Sequence, residues 1–128
     1  MRHGKVVLAW VLQVVLAAMF LVVGIQKFVS PTWPRMFARW GYPTGFHLLI
    51  GAAEALGALA LLAPPTAALA SLFLLLIMAG AAGTHLVHGE LAQRAVQLVV
   101  MSAMLATVAC LRWPAWGYKR AGRAQAKP

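Results

Sequence analysis

Apolar residues gather along this chain in four long runs, roughly Val6 to Phe28, Phe46 to Ala63, Ala67 to Leu86 and Leu91 to Leu111. Each approaches the ~20 residues that carry an α-helix across ~30 Å of hydrocarbon. None alternates polar with apolar at period two, so strands of a membrane barrel are not indicated. Backbone polar groups have no water to bond in lipid, and the runs therefore predict helices. The fold class that follows is all-α, an integral membrane four-helix bundle in one domain over residues 1–128.

The connections carry their own signals. Pro64-Pro65 stops the second run, and Thr66 then reads as an N-cap for the third. His88-Gly89-Glu90 joins the third and fourth, with Gly89 suited to a left-handed position. Turns this short make the joined helices antiparallel neighbours. Ala53 with Gly57, and Ala79 with Gly83, are small-xxx-small pairs that allow close helix approach.

Residues 29–45 break the pattern. Trp33, Met36, Phe37 and Trp40 recur at i, i+3, i+4, i+7, with Arg35 and Arg39 on another face. Thr32 can cap this segment, Pro34 suits its first turn and Gly41 can end it. The spacing predicts a short amphipathic helix in the headgroup plane, between the first and second spans.

Composition sharpens the picture. The chain is 62% hydrophobic and 10% charged, too few charges to coat a water-soluble domain of this size. The net charge of +9 comes from 11 basic and 2 acidic residues. These bases flank the apolar runs and do not line a soluble face, which argues against nucleic acid and for topology signals and anionic lipid. Arg2, Lys5, Arg112, Lys119, Arg120, Arg123 and Lys127 lie on the side of the termini, against Lys27, Arg35, Arg39 and Arg94 on the other. The positive-inside rule then predicts a multi-pass protein of the cell membrane with both termini, and the basic tail 112–128, in the cytoplasm. Trp113, Trp116 and Tyr118 fit an aromatic belt at that face. The N-terminal run lacks a convincing cleavage site and reads as a retained span. Cys110 stands alone, which excludes an intrachain disulfide or a CxxC dithiol centre.

The polar residues inside the runs are the candidate chemistry. A charge at mid-bilayer costs roughly 2.5–3.5 kcal/mol on insertion scales, so it needs a partner, a proton or water. Glu54 is the acidic residue within a span. Gln13, Ala17, Phe20, Gly24 and Lys27 share one face of the first helix, and His47, Gly51 and Glu54 one face of the second. Ala81, His85 and His88 align on the third, Gln93, Gln97 and Met104 on the fourth. Lys27, Glu54, His85, Gln97 and His47 are expected to converge on a polar pocket open to the outer side. Each has a plainer reading: Lys27 snorkelling to headgroups, His47, His85 and His88 as interface histidines, Glu54 as a protonated structural residue, and Gln13, Gln26 and Gln97 as interhelical hydrogen-bonders. His85, His88 and Glu90 lack a recognised metal-ligand spacing, so no metal site is expected.

Gly24-Ile25-Gln26-Lys27-Phe28, Gly41-Tyr42-Pro43, Ile50 to Gly57 and Gly80-Ala81-Ala82-Gly83-Thr84-His85 resemble, in order and spacing, the DoxX-like family of small four-helix membrane proteins. The resemblance covers about Val6 to Leu111. It implies Lys27, Glu54 and His85 at family-typical positions. Some members are subunits of thiosulfate:quinone oxidoreductases, others associate with membrane redox proteins, and distant animal relatives look like assembly chaperones for ion-channel receptors. The expectation drawn from it is an accessory subunit of a membrane redox system, binding a quinone or similar apolar ligand near Glu54. No cofactor is encoded in the chain, so electrons would come from a redox partner, and the isolated chain is not expected to be a complete enzyme. Two alternatives stay open: a non-catalytic scaffold or assembly factor, and a small proton-coupled cation exporter. The exporter reading is weakened because the glutamate of small multidrug resistance proteins lies in their first helix. Oligomeric state is not legible.

Overall fold

Five helices and no strand make up the described residues of the computed structural model, in which the backbone is described for 3–125 and side chains for 3–113. They are α1 (His3–Val29), α2 (Thr32–Arg39), α3 (Phe46–Leu61), α4 (Pro64–Val87) and α5 (Leu91–Gln125). The all-α membrane fold read from the apolar runs is the fold observed. α1 packs on α3 and α5, and α4 packs on the same two, so the four long helices close a ring with α2 set against α1 and α3.

The core is where four apolar stripes meet. Leu16, Phe20, Leu61, Leu74, Leu105 and Val108 are fully buried there, with Ala17, Ala58, Ala67 and Ala70 keeping the helices close. Meanwhile Val7, Val11, Val14, Leu49, Leu56, Leu59, Leu76, Val96 and Val99 point outward and exposed. In water such a surface would be an aggregation liability; in lipid it is the solvent-facing side. α1, α4 and α5 (to Trp113) are long and apolar enough to cross a membrane. α3, with 16 residues, covers about 24 Å.

Several boundaries differ from the sequence expectation. α4 starts at Pro64, because proline lacks an N–H that a first helical turn leaves unbonded anyway. Thr66 is therefore not its cap; the hydroxyl bonds the Ala60 and Ala63 carbonyls and ties the end of α3 to the turn. Thr32 does not cap α2 by its side chain either, since the N-cap is Pro31. α5 does not stop at Leu111 but continues helical to Gln125, so much of the expected tail 112–128 is helix. The belt residues Trp116 and Tyr118 lie outside the described side chains, as do Arg2 and Lys127. Gly89 adopts the expected left-handed conformation, φ +70°, letting the chain reverse between α4 and α5.

Of the two small-residue pairs, the one on α3 does allow close packing, since a Cβ on buried Gly57 would meet the Leu74 side chain of α4 at 2.8 Å. Ala79 and Gly83 face outward, and nothing lies within 4 Å of a Cβ built on Gly83. The backbones of α1 and α3 cross at Gly24 and Gly51, where a Cβ on either would come 2.8 Å from the other's carbonyl oxygen. One turn beyond this crossing on each helix stand Lys27 and Glu54.

At the opposite end of the bundle a second polar group is dry. Gln13 is fully buried; its Nε2 donates to the Leu61 carbonyl at 2.6 Å, and its Oε1 accepts from Arg112 Nε at 2.7 Å. The Leu61 carbonyl lies in the last turn of α3 and has no intrahelical donor, so Gln13 satisfies it. The Arg112 guanidinium also sits 5.2 Å from the Trp10 ring. Arg112 is thus a buried residue of the helix packing, not a free topology charge.

Candidate functional site

The Gly24–Gly51 crossing brings α1 and α3 close enough for short-range pairing of their next inward residues. Lys27 Nζ lies 2.7 Å from Glu54 Oε1, and both side chains are about 95% buried (5% and 3% exposed). Neither charge would be tolerable alone among apolar helices, and each is the other's offset. Lys27 Nζ also sits 3.9 Å from the centroid of the Trp33 ring, whose π face adds a further favourable contact. Lys27 therefore does not snorkel outward; its headgroup points into the protein.

Above this pair opens a cavity of about 350 Å³, within the range of small-molecule sites. Its wall comes from every helix. Lys27, Glu54, His85 and Gln97 all line it, together with the apolar residues Val23, Ile50, Phe73, Ile77, Ala81 and Leu98. His47, expected there, is not among the lining residues; it packs edge-on against Phe37 at 6.2 Å. It falls nearly two turns before Glu54, at the end of α3 where the aromatic cluster of α2 takes up the space.

α2 forms the roof. Phe37 is buried at the hub of an aromatic cluster, with ring centroids of Trp33, Trp40, Tyr42 and Phe46 at 5.3–6.3 Å. Trp33, Phe37 and Trp40 line the cavity. The apolar stripe of this amphipathic helix is thus turned toward the protein. Trp40 meets the His85 ring edge-on at 5.4 Å, Tyr42 Oη shares a hydrogen bond of 2.5 Å with Thr84 Oγ1, and Arg39 pairs with Glu90. These contacts tie the roof to the α4–α5 corner.

The remaining ionisable groups sort cleanly. His85 is buried, with Nδ1 at 3.6 Å from Glu90 Oε2, beyond hydrogen-bond reach. His88 turns away and its Nδ1 contacts the Thr84 carbonyl at 2.8 Å. The described residues contain no group of three His, Cys, Asp or Glu able to hold a metal ion. Arg94, half-buried in the first turn of α5, lines the cavity. The sequence reading counts it only as a topology charge on the outer side. The i, i+3 spacing of Arg94 with Gln97 was the available signal that it shares the inward face.

The arrangement can do one thing chemically from what it contains. It can enclose a flat, largely apolar molecule between aromatic rings and present a few polar groups to one end of it. The described site has no nucleophile set beside a base.

A model of the DoxX-like family matches residues 11–108. No curated protein and no solved structure matches the chain significantly.

Proposed function

The chain belongs to the DoxX-like family, and from that premise we propose that it is the ligand-binding membrane subunit of a redox system, taking a quinone or a similar apolar ring compound into the cavity above Glu54. The observation that carries this reading is the cavity itself: about 350 Å³, roofed by Trp33, Phe37 and Trp40 and floored by the Lys27–Glu54 pair. Aromatic walls suit a flat ring, and the few polar groups fix its orientation. The protein binds and positions; electrons reach the ligand from a partner protein.

Tryptophans in the wall provide the test. Titrating the protein in nanodiscs with a short-tailed quinone is expected to quench tryptophan fluorescence saturably. Ala81 lines the cavity, so Ala81→Phe fills part of it and is expected to weaken binding at least tenfold, about 1.4 kcal/mol or more. A quench that never saturates, or that ignores the Ala81 change, would count against the reading.

The exporter alternative asks Glu54 to release its cation for a substrate. Here Glu54 already holds Lys27 at 2.7 Å with both side chains buried, which disfavours that exchange.

We also propose four crossings, with α3 spanning despite its 16 residues because it is enclosed between α1 and α4. Both termini then lie in the cytoplasm, and the cavity opens outward. Single cysteines placed at Gly4 and at Gly89, in a Cys110→Ser background, are expected to label from opposite faces of sealed vesicles. Labelling from the same face would overturn this topology.

A further inference from the structure

Building on the ligand-cavity reading, we propose that the ligand carries an anionic head, and that Arg94 is its docking group. The case begins with a count. The chain has two acidic residues, Glu54 and Glu90. Glu54 is taken by Lys27 at 2.7 Å. Glu90 is taken by Arg39, with His85 nearby at 3.6 Å. Arg94 has no hydrogen bond or ion pair among the described residues, and no acidic side chain remains for it.

The place of Arg94 in the fold gives that unpaired charge its consequence. Arg94 is the fourth residue of α5, which begins at Leu91. The N-terminus of a helix carries a partial positive charge, so a cation there is disfavoured and an anion favoured. Arg94, Gln97 and Leu98 share one face and all three line the cavity. A half-buried guanidinium, a helix N-terminus and an amide thus border one apolar chamber whose other charges cancel in pairs. A counter-charge for Arg94 would come from outside the chain. A guanidinium fork matches a carboxylate, an acidic ring hydroxyl or a phosphate, in each case carried on an apolar body that fits between the rings. Lys27 cannot serve, because Glu54 and Trp33 already engage it.

The test compares two ligands of nearly equal size and different charge. Menadione is a neutral naphthoquinone, and its 3-hydroxy analogue, a vinylogous acid with the hydroxyl on the quinone ring, is an anion at neutral pH. Each is titrated by tryptophan quenching into the full chain in nanodiscs of zwitterionic lipid. The anion is expected to bind about tenfold tighter, as a charge-assisted pair would give. R94Q is expected to bring the two affinities within about threefold of each other, while R94K retains part of the preference; melting of both variants checks that the fold is intact. Equal affinities in the parent protein, or a preference that survives R94Q, would overturn the anion site and leave the ligand cavity standing. No saturable quenching by either compound would overturn both. A further arm adds phosphatidylglycerol to the discs. Anion affinity that falls more in the parent than in R94Q supports the same site with a lipid headgroup as its anion, and equal falls, which report surface repulsion, assign it to the soluble anion alone.

Discussion

Lys27→Met is expected to destabilise the protein by about 3–5 kcal/mol, the typical loss when one partner of a buried ion pair is removed. The reason is what stays behind. Glu54 is 97% buried and its partner within 2.7 Å is the Lys27 ammonium. Without it the carboxylate must take up a proton or be left uncompensated in a low-dielectric interior. Glu54→Gln is expected to cost a similar amount, because it strands the ammonium. The double variant Lys27→Met, Glu54→Leu is expected to recover most of the loss, since paired charges and well-packed apolar groups are close in stability. Equilibrium unfolding in mixed micelles measures all three. Single variants within 1 kcal/mol of the parent would mean that water reaches the pair.

The second large effect belongs to the helix crossing. Gly51→Ala is expected to destabilise by about 1–3 kcal/mol, the usual range for overpacking. A methyl group there would meet the Gly24 carbonyl oxygen and Lys27 Cβ, each at 2.8 Å, and the Phe28 ring at 3.2 Å. Two of those neighbours are fixed by backbone, so α1 and α3 must separate. That separation also lengthens the Lys27–Glu54 contact, and the Gly51 and Lys27 effects should therefore be non-additive. Gly80→Ala and Gly83→Ala are the controls. Nothing lies within 4 Å of a Cβ built on either, and each is expected to gain about 0.5–1 kcal/mol from helix propensity. Equal losses at all three glycines would remove the crossing from the account.

The helices and their inward faces were legible from one-dimensional spacing. Gln13, Ala17, Phe20, Gly24 and Lys27 fall on one stripe of α1, and all five are buried. Glu54 could be expected inside because a lone carboxylate has no favourable place in lipid. Periodicity says which face turns inward, but not which neighbour that face meets. Hence His47, on the same stripe as Glu54, was expected in the cavity and instead packs on Phe37. Arg112 looked like a tail charge, yet Gln13 lies within 2.7 Å of it across 99 residues of sequence. The stripe on α2 was legible as a stripe, but spacing did not say that it would meet aromatic neighbours of the same chain.

Composition and period by themselves determined that the chain is all-α and lives in lipid, since helices alone can satisfy their backbones there when no strand pattern exists. They also required that Glu54 be offset by a partner, a proton or water. Tertiary structure decided which partner, through two glycines whose missing side chains let the backbones touch. It also decided that α2 closes a cavity, and that Arg94 faces it with both acidic residues already engaged. Those are questions of distance between segments far apart in sequence, and local spacing carries no information about such distances.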